Sequence, residues 1–121
     1  MAEYKITATD EQIAATLSTL ALPVFFGEAT VKDNLNDYNF IYYRPMQIEK
    51  NSINTFRQTV MVYLVSTLSD LDKEMQIIEL MDSIKMQQGS AAQYNRYQIA
   101  DTDKWINVVA YPFIRLIKRS C

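Results

Sequence analysis

Few side chains in this 121-residue sequence have the type and spacing to do chemistry. Asp70/Asp72 and Asp101/Asp103 are paired carboxylates that could hold Mg²⁺ or Ca²⁺ through oxygen. Both pairs have simpler work. Asp70 and Asp72 stand where a helix start favours anions, and Asp101 and Asp103 where a hairpin favours turn formers. Neither pair is accompanied by further ligand spacing. The chain has no histidine, so Ser-His-Asp and Cys-His nucleophiles and His-ligated zinc or iron are excluded. Its two glycines, Gly27 and Gly89, are isolated, whereas a phosphate-cradling loop needs several within one turn. The single cysteine, Cys121, excludes an internal disulfide and any CxxC chemistry, and fits a reducing compartment. No catalytic, metal-ligating or cofactor-binding residue is assigned, and the chain is expected not to be an enzyme.

What remains is eight tyrosines and a scatter of arginines. On a sheet surface, tyrosines beside Arg44, Arg57, Arg96, Arg115 and Arg119 could stack bases, as in sheet-surface RNA binders. The glycine-and-aromatic signature of those modules is absent, and a pI of about 5.0 argues against phosphate attraction. Direct nucleic-acid binding is therefore not expected. Tyr and Arg are also the residues enriched where proteins touch, and Tyr42, Tyr43 and Arg44 beside Pro45 lead that list. The alternative for these three is a half-buried strand face within the monomer.

The elements that must position these residues follow from periodicity. Thr9 and Gln12 have capping-box spacing, and Asp10 and Glu11 suit the positive end of a helix dipole. Ile13, Leu17, Leu20 and Ala21 then form one apolar stripe, predicting an amphipathic helix over 9–22 that ends before Pro23. Val24-Phe25-Phe26 reads as a short strand and 30–39 as a loop. Phe40 to Ile48 reads as a strand with Phe40, Tyr42, Arg44 and Met46 on one face and Ile41, Tyr43 and Ile48 on the other. Pro45 belongs at an edge or a bulge. Glu49 to Asn54 reads as a hairpin loop. Thr55 to Thr67 carries the strongest strand signal, apolar on both faces in its second half.

A second helix is predicted from Ser69 or Asp70 to about Met86, capped by Ser69 and Asp72, with Leu71, Met75 and Ile78 in line, Ile77, Met81 and Ile84 widening the stripe, and Gly89 as its stop. Tyr94 to Ala100 and Trp105 to Lys118 read as strands around a turn at 101–104, the second broken or bulged at Pro112. The order predicts a single α+β domain over residues 1–121. Its antiparallel sheet has about four to five strands, with two amphipathic helices packed on one face.

Length and composition agree with one soluble domain: 49% of residues are hydrophobic and 21% charged. The first residues lack an apolar signal region, and no run approaches the ~20 apolar residues of a membrane helix, so a cytosolic chain with no membrane partner is expected. Charge is uneven. Lys104, Arg115, Lys118 and Arg119 fall after residue 103, which leaves the first 103 residues with 8 basic against 14 acidic residues, a net of −6. An acidic body with a basic tip favours head-to-tail self-association.

Three stretches and the element order together resemble a known family. They are the strand pair NFIYYRPMQIE and NTFRQTVMVYLVST, the acidic-start helix SDLDKEMQIIELMDSIKM, and the closing hairpin YNRYQIADTDKWINVVAYPFIRL. The chain resembles the small tail-completion proteins of long-tailed (siphophage-type) bacteriophages, the tail-terminator and neck group. The resemblance implies a structural virion protein without a cofactor, in a homo-oligomeric ring, commonly six-fold, at the head-proximal end of the tail. It implies the tail-tube protein and head connector proteins as partners, with assembly in the host cytoplasm before incorporation in the virion. Glu49, Lys50 and Asn51, in the predicted loop, become candidates for contacts with neighbours. Arg115, Lys118 and Arg119 are expected to meet Asp72, Glu79 and Asp82 of the next subunit. Two other functions fit the residues: a small bacterial adaptor or regulatory domain, and an enzyme completed by a partner subunit through Arg57 or Arg96.

Overall fold

The structure, a computed structural model, describes residues 3–27, 39–68, 70–98 and 103–120. In chain order these form β1 (Glu3–Ile6), α1 (Asp10–Ser18), β2 (Val24–Phe26), β3 (Phe40–Ser52), β4 (Thr55–Ser66), α2 (Leu71–Ser83), β5 (Gln87–Gln88), β6 (Gln93–Gln98) and β7 (Trp105–Ser120). The class is mixed α+β. Among the described residues, seven strands make one sheet in the order β1-β7-β4-β3-β2, with β5 and β6 also pairing to β7.

The strand signal of 55–67 marks the centre of this sheet. β4 pairs antiparallel with β7 from Thr55↔Lys118 to Ser66↔Asn107, and with β3 on its other side. Alternation sends Val60, Val62 and Leu64 of β4 to one face, together with Val109, Tyr111 and Phe113 of β7 and Ile41 and Tyr43 of β3. Those residues form the core with Ile13 and Leu17 of α1 and Ile77 and Met81 of α2. At roughly 1.5–3 kcal/mol per large apolar side chain, this face supplies most of the driving force for folding.

The sheet is larger than four to five strands and is not wholly antiparallel. β1 was not predicted, and β2 runs parallel to β3, pairing Val24↔Ile41 to Phe26↔Tyr43. A parallel pair needs a crossover of about a dozen residues, and the connection between β2 and β3 is that long. Glu49, Lys50 and Asn51 are strand residues rather than loop. The hairpin turns on Ile53 and Asn54 alone, and Ser52 pairs with Thr55.

Both strand prolines are placed by the same rule. Ile41 donates to the Pro23 carbonyl and the Tyr43 carbonyl accepts from Gly27, so the backbone of odd-numbered β3 residues points away from β4. Pro45 therefore turns its missing N–H outward, beyond the end of β2 and beside the bulge between Pro45 and Ile48. Pro112 does not break or bulge β7, whose register with β4 continues through Met61↔Pro112. Its carbonyl accepts from Gly89 on the far side, so its absent donor falls in the gap between β5 and β6.

Both helices are shorter than predicted. The Thr9–Gln12 capping box is present. α1 stops at Ser18, however, and the chain turns through Ala21 at φ 60°, well before Pro23 acts. Asp70 caps α2 by accepting from the Lys73 N–H; Ser69 lies outside the described residues, as do Asp101 and Thr102 of the predicted 101–104 turn. Gly89 does not end α2. Lys85 at φ 66° does, in a Schellman arrangement where the Met86 N–H reaches the Met81 carbonyl and the Lys85 N–H the Asp82 carbonyl. A side chain at positive φ costs about 1 kcal/mol. Lys85→Gly is therefore expected to stabilise the protein by about 0.5–1 kcal/mol, seen as a higher urea midpoint. A midpoint at or below that of the parent would contradict this account of the helix end.

Candidate interaction surface

With both helices on one face, the other sheet face is built from the alternate residues. On it, Phe25, Phe40, Tyr42 and Tyr63 form an aromatic row. Phe25 meets Phe40 edge-on at 5.9 Å, Phe40 lies 6.2 Å from Tyr42, and Tyr42 stacks on Tyr63 at 4.3 Å. The Arg44 guanidinium sits 5.9 Å from the Tyr63 ring. Met61, Pro112, Ile114 and Leu116 continue the apolar character and are half-buried. Beyond them Lys5 and Lys118, exposed, face each other as a register pair. Farther along, Glu49 pairs with Arg57 at 3.5 Å, an exposed contact worth little to stability.

Tyr42 and Tyr43, neighbours in sequence, are separated by the sheet. Tyr43 is buried on the helix side, where its hydroxyl donates to the Asp10 carbonyl at 3.2 Å and its ring meets Phe26 edge-on. Burial, reinforced by the charges of Asp10 and Glu11, raises its pKa above the ordinary tyrosine value. Tyr43 is therefore a core residue, not a contact residue.

Arg115 is corrected in the same way. It is 5% exposed, although the sequence places it in a basic tip. Its Nε and Nη2 donate to Gln58 Oε1 at 3.0 and 2.8 Å, and its Nη1 donates to the Ala8 carbonyl at 3.0 Å and Asp10 Oδ1 at 2.8 Å. Gln58 Nε2 in turn donates to the Met46 carbonyl at the β3 bulge. The guanidinium thus ties β7, β4, the bulge and the start of α1 together, and its carboxylate partner is Asp10 of its own chain. Lys118 and Arg119 point to opposite faces by strand alternation, Lys118 to the aromatic side. Glu49, Lys50 and Asn51 are exposed on the hairpin arm, whose tip carries Ile53 at 80% exposure.

α2 buries Ile77 and Met81 of the predicted stripe, adds Glu74 to them, and leaves the Leu71 and Met75 edge outside, at 70% and 47% exposure. Asp72, Glu79 and Asp82 stand beside those two on the outer surface. Glu74 is accommodated because its Oε1 accepts from Tyr94 at 2.6 Å and from Tyr111 at 3.0 Å. The sequence signal for it was its place three and seven residues before Ile77 and Met81; acidity alone suggested a helix start. Burial and the bond to Glu74 push the Tyr111 hydroxyl far above its usual range, and the same bond raises Tyr94. A pocket of about 140 Å³ lies beside this triad, lined by Leu64 and Val109 as well as Asp70, Glu74, Tyr94 and Arg96. It is smaller than the roughly 300 Å³ at which small-molecule sites begin. Arg96 is engaged with the Trp105 ring at 5.1 Å.

Among the described residues, no helix is long and apolar enough to cross a membrane. No family model matches the chain, and no curated protein matches it. Several solved structures are similar; one of them, at 14% identity and a TM-score of 0.46, aligns over 93% of this chain and 90% of its own, a likeness too loose to bear on function.

Proposed function

We propose that the chain is a structural subunit of a long-tailed phage that forms a ring at the head-proximal end of the tail, ends tube growth there and joins tail to head. The observation that carries the subunit reading is the sheet face opposite α1 and α2, where Phe25, Tyr42, Tyr63, Met61, Ile114 and Leu116 are half-exposed around a buried Phe40. Contiguous apolar surface of this kind marks a contact site in a small protein. The exposed hairpin arm, with Glu49, Lys50 and Asn51 on its strand and Ile53 at its tip, supports the reading as a second point of contact with the tube or connector. The resemblance of the three quoted stretches to tail-completion proteins supplies the place in the virion. Such a subunit assembles in the host cytoplasm and leaves in the particle.

Electron microscopy of the purified protein, alone and with isolated tails, tests this. Rings, and density capping one end of each tail, are the expected result. A dispersed protein that leaves both tail ends bare would refute it.

A further inference from the structure

The two sides of the molecule carry opposite charge beside apolar patches. On the helix side, Asp72, Glu79 and Asp82 share the outer surface of α2 with exposed Leu71 and Met75. On the sheet side, Lys5 and Lys118 adjoin Leu116, at the end of a line that continues through Ile114 toward Met61. We infer that these two sides are the halves of one heterologous contact, in which α2 of one copy lies across the sheet face opposite α1 and α2 of the next. This deepens the ring proposal and rests on its choice of that face.

Each half is locally unfavourable without the other. Lys5 and Lys118 are directly opposed across a strand pair, where like charges destabilise. Glu79 and Asp82 are like charges three residues apart on one helix. Asp82 also lies in the last turn, at the negative end of the helix dipole, and no basic residue is present there. Placing the acidic ridge against the lysine pair relieves all three, and covers Leu71 and Met75 with the apolar residues beside the lysines. Because the two patches are different surfaces, the contact is head-to-tail, the arrangement that closes into rings.

The partner is thus a second copy of this chain, and charge reversal tests it. One variant carries Lys5→Glu and Lys118→Glu; the other carries Asp72→Lys, Glu79→Lys and Asp82→Lys. All five side chains are exposed, and circular dichroism checks that the fold is retained. Sedimentation at low salt is expected to show self-association of each variant weakened by at least about tenfold. An equimolar mixture is expected to regain the parent assembly, because both junctions are then complementary. A contact between two sheet faces predicts instead that only the lysine variant is affected, and that result overturns the inference. So does a parent chain that sediments as a monomer, or a mixture that fails to recover. Assemblies that obey these rules but never cap a tail would uphold the contact and refute the place in the virion.

Discussion

Arg115→Ala is expected to cost about 3 kcal/mol of folding stability, measured as a fall in the urea midpoint with an unchanged slope. The guanidinium is buried and makes bonds to two separate parts of the chain, Gln58 of β4 and the segment that holds Ala8 and Asp10. Removing it leaves the Ala8 carbonyl and the Gln58 amide oxygen without their donor and opens a cavity between β4, β7 and the start of α1. Asp10 suffers less, because its side chain is 42% exposed and water can replace the lost bond. Asp10→Asn is therefore expected to cost under about 1 kcal/mol. Arg115→Lys should not rescue the alanine variant fully, since an ammonium cannot reproduce the planar fork that spans Gln58, Ala8 and Asp10. A loss below about 1 kcal/mol for Arg115→Ala would show that the network is incidental to stability.

Tyr111→Phe is expected to cost about 2 kcal/mol near neutral pH, because it strips one of two donors from a buried carboxylate. Tyr94→Phe should cost less, since Tyr94 is 68% exposed and water can stand in for its hydroxyl. The two variants also differ in base. The Tyr111 hydroxyl holds its proton more tightly in the folded protein than at the ordinary value of 10.0. Its contribution is fully present below that value and declines as pH rises above it, where the unfolded chain releases the proton and the folded one does not. The parent should therefore lose stability more steeply above about pH 10 than Tyr111→Phe does, in urea titrations at stepped pH. Parallel stability curves for the two proteins through that range would contradict the assignment.

Much of the frame was legible before the fold. The alternation over 40–45 separated Tyr42 from Tyr43, the pattern over 55–66 marked the central strand, and Thr9 with Gln12 gave the first cap. Those signals are local: they need only a strand's two-residue period or a helix's first turn. Helix ends were misjudged because the stops are Ala21 and Lys85, residues with no propensity for positive φ that the surrounding chain holds there. β1 and β2 were harder still, since a three- or four-residue strand acquires its direction from the neighbour it joins.

The polar residues show the same division most clearly. By itself the sequence determined the helix starts, the central strand and the exclusion of histidine- and thiolate-based chemistry, because each depends on residue type or near spacing. Only the tertiary structure decided that Arg115 and Glu74 are interior and that Lys5 faces Lys118. Arg115 meets Ala8 across 107 positions, and Glu74 meets Tyr111 across 37. A charged side chain is buried when distant groups satisfy it and exposed when they do not, and no window of sequence contains those groups.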